Sequence, residues 1–254
     1  MKIVILGSGN VAHVLGRKCL MAGHTLLQVY ARQPEKAQSL ANLLGAAPVA
    51  DLQQLDPDAD CYIIAVADAA IASVAAGLEG WGRPVVHTAG SVPAAVLAIT
   101  GGPYGVLYPL QSLRREMDQL PEIPLLVQGS SPAMEALVSQ LAHTLSRQVQ
   151  PAGDEQRLRL HLAAVISSNF TNHLFALTEQ YCRDQQADFR LLLPLINEVT
   201  QRLSQASPLD TQTGPAIRHD EVTIRKHLEL LNGYPALKEL YDQFSKSIMG
   251  MYPQ

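Results

Sequence analysis

Residues 2–12 read Lys2-Ile3-Val4-Ile5-Leu6-Gly7-Ser8-Gly9-Asn10-Val11-Ala12, and this stretch decides the fold. Ile3 to Leu6 are four consecutive apolar residues, three of them β-branched, with no polar alternation. That is the pattern of a short strand buried on both faces. Helical spacing takes over near Asn10. Between the two, Gly7 permits a sharp turn, Gly9 leaves the backbone open to a pyrophosphate, and the small Ala12 lets helix and strand pack closely. The free N–H groups at the start of that helix, around Ser8, Asn10 and Val11, then face the anion. The spacing predicts a dinucleotide site, and by itself it also fits a bare structural turn or another nucleotide-like ligand.

The next strand, residues 25–31, selects among dinucleotides. NAD sites place a carboxylate at this strand end to accept the ribose 2′-hydroxyl, whereas NADP sites place a cation there. Here the strand ends Val29-Tyr30-Ala31-Arg32, and no acid appears until Glu35. Arg32, with Lys36 one helical turn beyond, is placed to grip a 2′-phosphate. A charge-assisted contact of roughly 1.5–3 kcal/mol favours NADP over NAD by about ten- to a hundredfold. The same missing acid counts against S-adenosylmethionine. The plainer alternative leaves Arg32 and Lys36 as a solvated helix start.

Outward from these two units the pattern recurs. Apolar runs at 61–66, 84–88 and 104–108 alternate with helical periods at 34–44, 69–78 and 93–99, which predicts a parallel α/β sheet. Runs at 123–128 and 147–150 flank a helical stretch at 132–145 and extend that sheet. Thirteen of the 17 glycines lie in the first 150 residues, so tight turns belong to the front of the chain. From Asp154 a helical period runs to about Asp184 without glycine or proline. Such a helix spans on the order of 45 Å, longer than a small domain needs, which suggests packing against a second subunit. Shorter helices follow at 189–204, 221–231 and 236–249. The expectation is a mostly parallel Rossmann-type domain at 1–150 and an all-helical substrate and dimerisation domain at 151–254.

Composition excludes several roles. Residues 1–150 carry 9 basic and 11 acidic side chains and the remainder 10 and 12, so neither half has a basic lobe for nucleic acid or an anionic membrane surface. The 3 cysteines are far apart, with no spacing suited to a disulfide framework or a metal. The richest apolar stretch, 62–78, is cut by Asp68 and falls short of the roughly 20 residues of a membrane span. Ile3 to Leu6 is too short for a signal segment. These features predict a cytoplasmic protein with no metal, acting on a small molecule.

GSGNVA (7–12), YARQPEKA (30–37), ADCYIIAVADAAI (59–71), VVHTAGSVP (85–93), GVLYPLQSL (105–113), HLAAVISSNFTNHLFAL (161–177) and TGPAIRHDEVTIRKHLELL (213–231) together cover nearly the whole chain. In these segments the sequence resembles a bacterial family that joins a Rossmann-like NADP-binding domain to a C-terminal domain of unknown function, with members described as NADP oxidoreductases. More distantly it is similar to pyrroline-5-carboxylate reductase, deazaflavin-dependent NADP reductases and 6-phosphogluconate or β-hydroxyacid dehydrogenases. The resemblance implies NADP as cofactor, with Ala65 and Val66 on its site, and a helical domain that forms a homodimer and helps close the active site. It supplies no substrate.

In the dehydrogenase relatives a lysine and an asparagine four residues later serve the acceptor. That pattern places Asn169 at the asparagine and Val165 at the lysine, and no lysine occurs from residue 37 to 225. Attention therefore moves to histidines. His161, Val165, Asn169 and His173 follow at i+4 spacing and form one stripe of a regular helix. An imidazole titrates near neutrality and can donate the proton in place of an ammonium. The competing reading makes the stripe a hydrogen-bonded polar seam against a neighbouring domain or subunit. At the sheet edge, His87 is a further candidate acid, and Thr88 and Ser91 are candidate contacts to the nicotinamide. Alternatively His87 packs at the strand end and Ser91 caps a helix. Gln111 ends a strand on the same edge and is a candidate substrate contact. Arg218 and His219, just before a helix capped by Asp220, suit an anionic substrate, or else form a salt bridge between helices. The leading expectation is hydride transfer between NADP(H) and a small, anionic carbonyl or imine. The alternative is an NADP-binding sensor without turnover.

Overall fold

The computed structural model describes residues 1–253. Its contacts divide the chain into two compact units, Met1–Asn169 and Phe170 onward. The first contains eight strands: β1 (Lys2–Leu6), β2 (Thr25–Tyr30), β3 (Ala47–Val49), β4 (Cys61–Ile64), β5 (Val85–His87), β6 (Tyr104–Pro109), β7 (Leu125–Gly129) and β8 (Val149–Pro151). They form one sheet in the order β3-β2-β1-β4-β5-β6-β7-β8. Every pairing is parallel except β6 with β7. That exception follows from the connection, because residues 110–124 contain no crossover helix to carry the chain back to its starting end.

The run Ile3 to Leu6 is buried on both faces, as its lack of alternation requires. Ile3 and Ile5 enter the layer under α1 (Asn10–Met21), α2 (Pro34–Leu44) and α4 (Pro132–Leu145), while Val4 and Leu6 enter the opposite layer with Ile71 and Val74 of α3 (Asp68–Ala76). Both cores use one strand because its side chains alternate between faces. β3 is not announced by the sequence pattern, since Pro48 interrupts it. It lies at the edge of the sheet, where a proline removes no ladder donor. The helix expected at 93–99 is instead a 3₁₀ segment, Ala94–Thr100, closed by Gly101 at φ 71°.

The long helix of the sequence reading is interrupted. α5 (Asp154–Ala164) passes into a π-helical segment, Val165–Phe170, before α6 (Thr171–Asp184) resumes the ordinary pitch. Val165, Ile166, Ser167 and Ser168 are all modest helix formers, and they occupy the widened turn. The division between the two compact units falls within this segment, after Asn169. The reason is visible in α5: Arg157 is 1% exposed and donates to Gln128 Oε1 at 2.5 Å, Val92 O at 2.6 Å and Asp154 Oδ1 at 2.8 Å. Those bonds fix α5 to the sheet unit.

The second unit is helical among the described residues: α6, a 3₁₀ turn at Phe189–Leu192, α7 (Leu193–Arg202), α8 (Glu221–Leu230) and α9 (Pro235–Met251). Asp220 caps α8, accepting from Thr223 N at 3.0 Å. α8 and α9 are joined by a bond between His227 Nδ1 and the Tyr241 hydroxyl at 2.7 Å.

Candidate functional site

β1 and β4 are neighbours in the sheet, but the chain builds β2 and β3 on one side and β5 onward on the other. Such a switch in strand order leaves a crevice outside the carboxyl ends of the strands. A cleft of about 1020 Å³ lies there, lined by Gly7, Ser8, Gly9, Asn10 and Val11 after β1, by Tyr30–Gln33 and Lys36 after β2, and by Ala65, Val66, Ala67 and Asp68 after β4. Arg115 completes the wall from the connection between β6 and β7.

The two glycines of the opening turn are required for different reasons. Gly7 has φ 136°, and a Cβ there would lie 2.1 Å from the Ala65 carbonyl oxygen. The fold itself excludes a side chain. Gly9 has ordinary dihedrals, φ −84° and ψ −173°, and a Cβ would meet nothing within 4 Å. Protein packing gives no reason for glycine at that position; room for a ligand does. Nothing caps α1 either, since no side chain bonds its first amides and its first turn holds no acid. The uncapped N–H groups and positive end of the helix therefore suit a diphosphate. Ala12 is fully buried under the helix and contributes close packing rather than a cleft surface.

Arg32 and Lys36 are exposed on the cleft wall, and among the described residues neither forms an ion pair. The neighbouring Glu35 does not line the cleft. The residues thus fit a nucleotide with a phosphorylated ribose: amides for the diphosphate, two unpaired cations for the extra phosphate.

At the other end of the cleft, Asp68 opens α3 and accepts a bond from Ser91 Oγ at 2.6 Å. Ser91 is therefore tied to the cleft through Asp68 and does not cap the following segment; Ala94 N donates to Asp154 Oδ1 instead. Beside this pair, the Tyr108 hydroxyl bonds His161 Nδ1 at 3.0 Å. Gly90 makes that approach possible, for a Cβ there would lie 2.8 Å from both His161 Nδ1 and the Tyr108 ring. Burial raises the Tyr108 phenol above its ordinary value, the Asp68 carboxylate adds to the rise, and the Arg157 guanidinium opposes it. The phenol is therefore un-ionised at neutral pH.

Other expected residues are placed differently. His87 is fully buried, its Nδ1 accepts from Ala89 N at 3.2 Å, and its Nε2 has no partner. Burial, with help from the nearby Arg157 cation, pushes its pKa down to about 4. The His87 ring is thus packed at the strand end and closed to solvent. Thr88 is 7% exposed and bonds back to Ile64 O at 3.4 Å. The Gln111 side chain accepts from Ser112 N at 2.9 Å and lies off the cleft wall.

Asn169 is exposed within the π segment, which breaks the regular stripe that linked it to His161 and His173. In the second unit, His173 and Arg218 are exposed. His219, at φ 52°, bonds the Tyr252 carbonyl through Nε2 at 2.8 Å. The sequence reading missed Asp68, Arg115 and the pairing of Tyr108 with His161. Asp68 was accessible in principle, as the first residue of the helix that follows the switch-point strand. The other two come together only through the fold.

Known proteins bear on this geometry. Residues 2–89 match the family described as NADP oxidoreductase coenzyme F420-dependent, and residues 123–248 match a domain of unknown function, DUF2520. A Bacteroides fragilis protein provisionally named an NADP oxidoreductase is 38% identical, with 98% of each chain covered and a TM-score of 0.91. An imine reductase from Myxococcus stipitatus, solved in complex with NADP+, is 17% identical over 98% of this chain and 93% of its own, with a TM-score of 0.66. The 1-pyrroline-5-carboxylate reductase of Streptococcus pyogenes is 16% identical over 98% of both chains, with a TM-score of 0.64. At those two identities the likeness is one of fold. No curated protein matches the chain.

Proposed function

Because this chain belongs to the family of NADP oxidoreductases that join an NADP-binding domain of the F420-dependent type to a DUF2520 domain, we propose that it reduces a small, anionic carbonyl or imine compound. The observation that carries the reading is the cleft in which an unfilled Gly9, an uncapped helix and two unpaired cations face one volume. Ser8, Gly9, Asn10 and Val11 hold the diphosphate through their backbone, Arg32 and Lys36 hold the 2′-phosphate, and Ala65 and Val66 form the wall beside β4. When bound, the nicotinamide supplies a hydride.

His161 is the group in this unit best arranged to supply the accompanying proton. Its Nδ1 is committed to the Tyr108 hydroxyl, which fixes the ring and leaves Nε2 for an acceptor. Asp68 and Ser91 define the polar edge next to it. The second unit, by this reading, pairs two copies of the chain.

The test is binding first and turnover second. NADPH should bind in the micromolar range by nucleotide fluorescence, with NADH weaker by about ten- to a hundredfold, and Arg32→Asp should abolish that preference. Equal affinity for both nucleotides in the parent protein would refute the 2′-phosphate assignment. NADPH oxidation is then followed with keto acids, cyclic imines and oxidised deazaflavin, where His161→Gln should lower the rate by roughly a hundredfold while leaving nucleotide affinity intact. Tight NADPH binding with no turnover across that panel would favour a sensor.

A further inference from the structure

The connection between β6 and β7, residues 110–124, has no regular structure yet is held down at several points. Leu113 and Ile123 are buried in the main core. Arg17, in the middle of α1, donates to Met117 O at 2.6 Å and to Asp118 O at 3.1 Å. Nearer the helix start, Arg115 N donates to Asn10 Oδ1 at 3.3 Å. This last bond joins residues 105 apart and sets the Cα of Arg115 beside the first turn of α1, where the uncapped amides lie.

The Arg115 side chain lines the cleft, and its guanidinium meets only Glu116, at 3.0 Å, in a pair exposed to solvent. An exposed neighbouring carboxylate is a weak competitor for a guanidinium, whereas a diphosphate offers its planar fork a bidentate, doubly charged partner. Arg32 and Lys36 approach the cleft from the far side, after β2, so the two sets of cations do not address the same phosphate.

We infer that Arg115 is a ligand of the nucleotide diphosphate, delivered to the start of α1 by the 110–124 connection, with Arg17 and Asn10 as the residues that position it. This rests on the NADP reading above and adds to it a second source of affinity, blind to the ribose phosphate.

The test uses the full-length protein and fluorescence titration with NADPH and NADH. Arg115→Ala should weaken both nucleotides by the same factor, roughly tenfold at low salt and less at high salt, because the contact is exposed and screened. Arg32→Ala should weaken NADPH alone. Arg17→Gln should cost several-fold in NADPH affinity in the parent protein and nothing further in the Arg115→Ala background, a dependence that a merely structural role would not produce. Circular dichroism of each variant should match the parent. Unchanged NADPH affinity in Arg115→Ala would overturn the inference, and a loss confined to NADPH would overturn the diphosphate assignment by moving the cation to the ribose phosphate. Failure of the parent protein to bind either nucleotide would overturn both this inference and the reading beneath it.

Discussion

Gly7 and Gly9 stand two residues apart and are glycine for opposite reasons, one internal and one external. A methyl group at residue 7 would both occupy a left-handed backbone and strike the Ala65 carbonyl, so Gly7→Ala should destabilise the protein by about 3 kcal/mol or more. A methyl group at residue 9 meets no protein atom, so Gly9→Ala should cost less than about 1 kcal/mol yet lower NADPH affinity at least tenfold. Thermal melting and fluorescence titration of the two variants separate these effects. Equal losses of stability would mean that the turn is only structural. The same contrast explains what the sequence shows of the site. A turn made by consecutive residues is legible in their spacing, and so was Arg32 at the next strand end. Arg115 and Asn10 meet across 105 residues, and Tyr108 and His161 across 53, separations that no local pattern encodes. His87 stayed open between two readings because its chemistry is that of an acid while its surroundings are those of a core.

Among the elements, α5 shows how one side chain assigns a helix to its unit. The Arg157 guanidinium serves three acceptors drawn from β7, the segment after β5 and its own first turn. Removing it strands buried polar groups, so Arg157→Leu should cost about 3 kcal/mol in urea unfolding. Arg157→Lys should recover little, since one ammonium cannot span the fork of acceptors. Loss of less than about 1 kcal/mol in both would show that α5 is held by apolar contacts instead. The strands and the helices α2 and α4 were readable because burial imposes a periodicity on the side chains. The π segment was not, because widening a turn by one residue changes backbone hydrogen bonds without changing which residue types are apolar. β3 escaped notice for a related reason: an edge position relaxes the constraints that make a central strand recognisable.

Across the whole molecule, apolar surface is unevenly exposed. On α7 and the residue that closes it, Leu195, Val199 and Leu203 recur every four residues and are 62%, 53% and 56% exposed. A continuous stripe of this kind is rarely left to water. Light scattering should return a mass near twice 27.5 kDa, and Leu195→Glu combined with Val199→Glu should halve it at micromolar concentration. A monomeric parent protein would rule out pairing through this face. No helix among the described residues is long and apolar enough to cross a membrane, so the stripe is not a span.

Cys19 and Cys61 are fully buried in the layer shared by α1 and the sheet, and burial pushes both thiols up to about 12. Only a thiolate attacks an electrophile at a useful rate, so these sulfurs are chemically silent for as long as the interior stays shut. Oxidants and alkylating agents reach them at the pace at which that layer opens. In the nucleotide domain these two thiols are therefore protected by concealment, and they become reactive at the moment it unfolds.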